Sequence, residues 1–156
     1  MNRAFSMEGN AHSFPGIREN KMTLETTKQS LEKWHQMIQT GDMSSLNELL
    51  ADDVVFRSPV AYKPYEGKHV VFFILTNVIQ VFQDFTYHRE FYTEDGENVV
   101  LEFSANVSGK LLKGIDMIRC NEQGKIIDFE VIIRPMSGLA ALAEQMGARF
   151  AQYQPN

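Results

Sequence analysis

The chain predicts an α+β fold in which a curved, antiparallel-rich sheet wraps around three N-terminal helices, with one more helix at the C-terminus. Apolar residues recur at helical spacing through the first half, while long alternating runs separated by short Gly-containing turns fill most of the second. Helices followed by a run of antiparallel strands is an α+β order, and the sheet must curl over the helices if both are to be buried.

Residues 1–21 mix Gly, Asn, Ser and Pro with isolated Phe and Met and show no period of 2 or 3.6. They read as a flexible leader, with Met22 as a second candidate start and one domain over residues 22–150. From Thr23, the spacing Leu24, Thr27, Leu31, Trp34, Ile38 marks an amphipathic helix stopped at Gly41, and Asp42 is expected to cap a second helix through Leu50. Val54–Ser58 reads as a short strand and Pro59–Gly67 as a turn-rich loop. Lys68–Phe82 carries more apolar residues than one face holds, so it is expected to be a helix buried on most sides. Three strands follow, Phe85–Thr93, Asn98–Ser108 and Leu111–Cys120, and a fourth ends at Arg134-Pro135. Leu139, Leu142, Met146 and Phe150 give the last helix.

A chain of 156 residues, 44% of them apolar, suits one globular domain with a sizeable core. A net charge of −5 without a Lys/Arg cluster gives no footing for nucleic acid. The lone Cys120 cannot form an internal disulfide, and no Cys/His spacing builds a zinc site, so no metal and no cofactor is expected. No run approaches the ~18 apolar residues of a membrane span, and no secretory signal opens the chain. A cytoplasmic protein that engages no membrane is the expectation.

One residue breaks the pattern of the last hairpin, residues 114–135. If Cys120 pairs with Lys125, alternation places Gly114, Asp116, Ile118, Ile127, Phe129, Val131 and Ile133 on one face, with Asp116 the only acid among hydrophobes. A buried carboxylate either finds a donor, such as a backbone amide or neighbouring hydroxyl, or takes up a proton. Ile115 and Met117 point the other way, so the outer face needs a cover, either the C-terminal helix or a second subunit.

The text Thr40-Gly41-Asp42, Ala51-Asp52-Asp53-Val54, Ser58-Pro59, Tyr65-Glu66-Gly67-Lys68, Gly114–Arg119 and Asn121–Ile126 resembles the nuclear transport factor 2-like superfamily. That superfamily includes ketosteroid isomerases and SnoaL-like cyclases, and the resemblance covers about residues 24–135 and implies a cone-shaped α+β fold. Ketosteroid isomerases use a Tyr and a protonated Asp, kept neutral by its apolar site, as an oxyanion hole and a second Asp as base. The resemblance places Asp116 on the oxyanion-hole Asp, Trp34 on the Tyr and Ser58 on the base, with Leu50 and Leu75 where two supporting tyrosines would be. Ser58 has no His or Lys to take its proton, so it cannot replace a carboxylate base. The acid arrangement of the superfamily's epoxide hydrolases is not matched by Glu102, Ser104 and Val131.

The resemblance implies a small apolar ligand in a pocket of Trp34, Leu50, Phe56, Ser58, Leu75, Phe103, Ile118, Phe129 and Val131, with Asp116 as candidate acid or base. His35, His69 and His88 read as surface or structural, His35 being the one that could reach the pocket. Asp52-Asp53 reads as a solvated turn, Tyr62 and Tyr65 as rim residues, and Arg134 as a partner of Asp128 or Glu130. Three functions remain open: an isomerase, cyclase or dehydratase on an apolar cyclic substrate, a non-catalytic binder of an apolar ligand, or a homodimeric interaction module.

Overall fold

The computed structural model describes residues 15–152, so residues 1–14 of the expected leader lie outside it. Residues 15–21 are helical: α1 spans Pro15–Thr40. Gly16 and residues 18–21 are exposed, and exposed helical positions leave no periodic signal to read.

Helix α2 is a single turn, Leu46–Leu49, and runs directly into β1, Leu50–Arg57, which therefore starts earlier than Val54. Asp42 accepts the Ser44 amide at 3.0 Å and so orders the turn ahead of α2 instead of capping the helix. Asp52 and Asp53 lie in a strand, not a turn, at an irregular stretch of β1 that leaves both exposed. The loop after β1 contains β2, Tyr65–Glu66, paired antiparallel with it.

Helix α3, Lys68–Val81, buries Val71, Ile74 and Leu75 fully, while Val70, Phe72, Val78 and Ile79 are half-buried. The expected burial on most sides is incomplete, and Val78 and Ile79 border a cavity. Strands β3 (Gln83–Tyr92), β4 (Asn98–Val107), β5 (Lys110–Cys120) and β6 (Ile126–Arg134) follow, then α4, Met136–Ala151. The described residues form four helices and a curled, unclosed six-stranded sheet of order β2-β1-β6-β5-β4-β3, in which β1 and β6 run parallel and the other neighbours antiparallel. Ser108 and Gly109, both at positive φ, make the tight β4–β5 turn.

The β5–β6 register differs from the expected one. Asp116 faces Val131 and Ile118 faces Phe129, which preserves the inner face, but an irregularity at Arg119/Cys120 brings Ile126 opposite Cys120. Ile126 is therefore buried in place of Ile127. The turn sets this: Asn121 donates to the Lys125 carbonyl at 2.9 Å, closing a three-residue loop with Gly124 at φ 76°.

Two apolar clusters fill the fold. One packs α1, α2 and α3 on the inner face around Leu31, Trp34, Leu46, Val71 and Phe129; the other joins Leu142 and Met146 of α4 to Phe103, Ala105, Val107 and Leu112. Helix α4 thus covers the inner face, and the expectation that it could cover the outer one is overturned. The outer face leaves Phe91, Met117 and Ile132 exposed. Among the described residues no helix is long and apolar enough to cross a membrane, and no group of His, Cys, Asp and Glu is arranged to hold a metal ion.

Candidate functional site

Alternation along β5 aims Asp116 inward between Gly114 and Ile118, and Phe103 from β4 packs so closely on Gly114 that a Cβ there would lie 2.5 Å from its ring. Asp116 is 5% exposed. From β3, two strands away, Tyr87 donates its hydroxyl to Asp116 Oδ2 at 2.6 Å, and from α1 the Trp34 indole N–H donates to the Tyr87 oxygen at 2.8 Å. Three elements thus converge on one chain of hydrogen bonds, Trp34 to Tyr87 to Asp116. It is the neighbouring-hydroxyl arrangement open to a buried acid, in a cavity that gives the carboxyl no cationic partner.

Burial pushes the Asp116 carboxyl up to about 7, and the Tyr87 hydrogen bond opposes that rise only in part. Burial, then the charge of Asp116, holds the Tyr87 phenol well above its usual range. A carboxyl that titrates near neutrality can both take and give a proton at working pH.

Around these groups lies a cavity of about 40 Å³ lined by Trp34, Phe56, Pro59, Leu75, Val78, Ile79, Phe82, Phe85, Tyr87, Asp116, Phe129, Val131 and Leu142. Phe129 stands edge-on to Trp34, and Phe85 edge-on to Tyr87. A second cavity of about 160 Å³ adjoins it, lined by Ser58, Val60, Ala61, Tyr65, Ile74, Met146 and Phe150 among others.

Of the residues expected at the pocket, the structure brings Trp34, Phe56, Leu75, Phe129, Val131 and Asp116 around the inner cavity and places Ser58 on the outer one. Leu50, Phe103 and Ile118 line neither. Leu50 opens β1 six residues before Phe56, Ile118 lies one pleat nearer the hairpin turn than Asp116, and Phe103 is sealed under Phe82 and Phe85. The Ser58 hydroxyl accepts the Val60 amide at 3.1 Å.

Tyr87, Phe82, Phe85 and Leu142 were not singled out for the site by sequence reasoning. The alternation of Phe85 and Tyr87 against His88 was the available signal, but only the third dimension brings β3 within reach of β5. His35 packs edge-on to the Tyr87 ring and lies 2.9 Å from Glu90, outside the cavity lining. His88 bonds Ser104, and His69 is exposed. Tyr65 lines the outer cavity whereas Tyr62 projects into solvent. Asp128 pairs with Arg57, not Arg134, because β1 lies parallel beside β6 with Arg57 opposite Glu130. Glu102 pairs with Arg89 on the outer face.

Residues 31–129 match the model of the SnoaL-like domain. The structure is similar to a steroid delta-isomerase from Pseudomonas aeruginosa, with 55% identity over 82% of this chain and 93% of that one and a TM-score of 0.80. It is also similar to an uncharacterized bacterial protein with a cystatin-like fold from Silicibacter pomeroyi, 36% identical over 79% of this chain and 86% of that one, TM-score 0.74. A nuclear transport factor 2-like protein of unknown function from Mesorhizobium loti shares the fold at 17% identity, over 71% of this chain and 93% of that one, TM-score 0.63. No curated protein matches the chain. With the domain model matched over most of its length and its core built on the same curled sheet, the chain belongs to the SnoaL-like family of the nuclear transport factor 2-like fold.

Proposed function

We propose that this protein is a proton-transfer enzyme of the isomerase or cyclase type, acting on a small apolar cyclic carbonyl compound with Asp116 as both base and acid. The observation that carries the reading is a buried carboxyl, titrating at about 7, whose one described partner is a tyrosine hydroxyl in an apolar cavity. As carboxylate, Asp116 takes a proton from the carbon beside the carbonyl, and the C–H electron pair moves into the enolate. The carboxylic acid so formed returns that proton to a different carbon, which completes an isomerisation without another reactant. Once Asp116 is protonated, the Tyr87 hydroxyl, held by the Trp34 indole, is free to turn its proton to the enolate oxygen.

A two-carboxyl mechanism finds no support, since Asp116 is the one carboxyl lining the inner cavity and Ser58, where the resemblance would put the base, lines the outer one. The name of the 55% identical Pseudomonas protein, a steroid delta-isomerase, supports the reaction class. The cavities here, about 40 and 160 Å³, fall short of the roughly 300 Å³ at which drug-sized pockets begin, which favours a smaller ring than a steroid. The lone buried thiol fits a cytoplasmic setting, and the exposed outer sheet face fits a homodimer.

The test is conversion of 3-cyclohexenone to 2-cyclohexenone, followed by the absorbance of the conjugated product. Wild type is expected to accelerate it and Asp116→Asn to lose on the order of a hundredfold or more. The absence of a second proton-accepting side chain in the inner cavity favours one other reading, a non-catalytic binder of the same ligands. Saturable binding with no acceleration in wild type would establish that reading and end the enzymatic one.

A further inference from the structure

Four residues, Phe56, Pro59, Val78 and Leu142, line both cavities and so form the neck between them. An engineered apolar cavity of about 150 Å³ holds one benzene. By that measure the outer cavity, at about 160 Å³, takes a single ring, and the inner one, at about 40 Å³, takes none. A single ring therefore rests mainly in the outer cavity and presents to Asp116 only the edge or side group that passes these four residues, and a second fused ring has room only where one of them gives way. The neck's width depends on the one lining side chain that can turn. Pro59 is rigid, Val78 is branched at Cβ in a helix and nearly fixed in χ1, and Phe56 is locked against Phe129 at 5.9 Å. Leu142, 3% exposed, is left.

Its helix does not swing away easily. At one end of α4, Gly138 packs on β5 so tightly that a Cβ would lie 2.6 Å from Leu112 Cβ. At the other, Arg149 bonds Gln80 at 2.9 Å and the Phe150 ring lies 5.7 Å from that of Phe73. We propose that Leu142 is the specificity-determining residue of this site, a constriction carried on an anchored helix that admits single-ring carbonyl compounds to Asp116 and turns fused rings away. This rests on the placement of the ligand's carbonyl at Asp116 proposed above.

Trp34 is the chain's only tryptophan and lines the inner cavity, so its indole N–H gives one NMR signal that reports ligand arrival there. Titration with acetophenone and with 2-acetylnaphthalene, the same methyl ketone with one fused ring more, measures the discrimination. Wild type is expected to bind the naphthyl ketone at least tenfold more weakly. Leu142→Ala is expected to shrink that ratio at least tenfold, and Leu142→Phe to weaken both ketones. Should the Ala variant not fold, the Phe variant decides, because unchanged binding there overturns the constriction. An equal ratio in wild type and variants also overturns it. Asp116→Asn in the same titration separates the two ideas: a moved ratio with undiminished binding in that variant keeps Leu142 and removes Asp116, and lost binding with an unmoved ratio does the reverse. No response of the Trp34 signal to either ketone in any variant overturns both.

Discussion

Asp116 is where the sequence most plainly contradicts its surroundings, and its titration ties stability to pH. The folded-state value of about 7 lies above the ordinary 3.8. A carboxyl raised on folding binds more protons in the native state, so its contribution is fully present below the unfolded value and is lost as pH rises through the folded one. Between pH 5 and 8 wild type is therefore expected to lose about 2–3 kcal/mol from this group, a loss Asp116→Asn escapes. Thermal unfolding of both proteins across that range checks it, and parallel curves would mean that Asp116 is not raised. Tyr87→Phe removes the only described hydrogen bond that opposes the rise, so carbon NMR should place the Asp116 titration above its wild-type midpoint. The same variant leaves the buried Trp34 N–H without its acceptor, at a cost of about 1–3 kcal/mol. That Asp116 is buried was legible from alternation alone. Its donor was not, because β3 and β5 are non-neighbouring strands, and nothing local says which tyrosine reaches across β4.

Among the elements, α1 is fastened to the sheet at two hairpin turns. The Thr27 hydroxyl donates to the Gly96 carbonyl at 2.7 Å and the Ser30 hydroxyl to the Gly124 carbonyl at 2.6 Å. Both glycines have positive φ, and a Cβ would fall 2.5 Å from the Leu24 nitrogen at Gly96 and 2.6 Å from Ser30 Oγ at Gly124. Gly124→Ala thus combines the left-handed backbone penalty with a broken dock, and it should destabilise by about 1–3 kcal/mol. Gly109→Ala is the contrast, since a Cβ at Gly109 meets nothing within 4 Å and only the backbone term remains. Equal losses in denaturant unfolding would show that the α1 dock contributes nothing. Helix and strand order was readable because burial imposes a period, and the reading failed where burial stops or the ladder slips. The start of α1, exposed at Gly16 and residues 18–21, the irregular start of β1 and the Arg119/Cys120 shift are those places.

At the scale of the whole molecule, the curled sheet has two faces, and the helices serve only one. Helices α1 and α3 pack on the inner face and α4 on its far part, through Leu142 and Met146. On the other face Ile115 stands directly opposite Ile132, Met117 follows on the same strand, and Phe91 lies further out on β3. Met117, Ile132 and Phe91 are 39%, 50% and 54% exposed, a set of large apolar side chains that monomers usually cover. Arg89, Glu102 and Lys113 interleave them, so the face carries both an apolar centre and charges able to orient a partner. A second copy is the simplest cover, because a two-fold contact lets one patch meet itself. The protein should therefore run as a homodimer in light scattering at micromolar concentration. Ile132→Lys, which puts a charge beside Ile115 on an already exposed site, should give a folded monomer with an unchanged circular dichroism spectrum. A wild-type monomer, or an Ile132→Lys dimer as tight as wild type, would leave the outer face without the partner argued here.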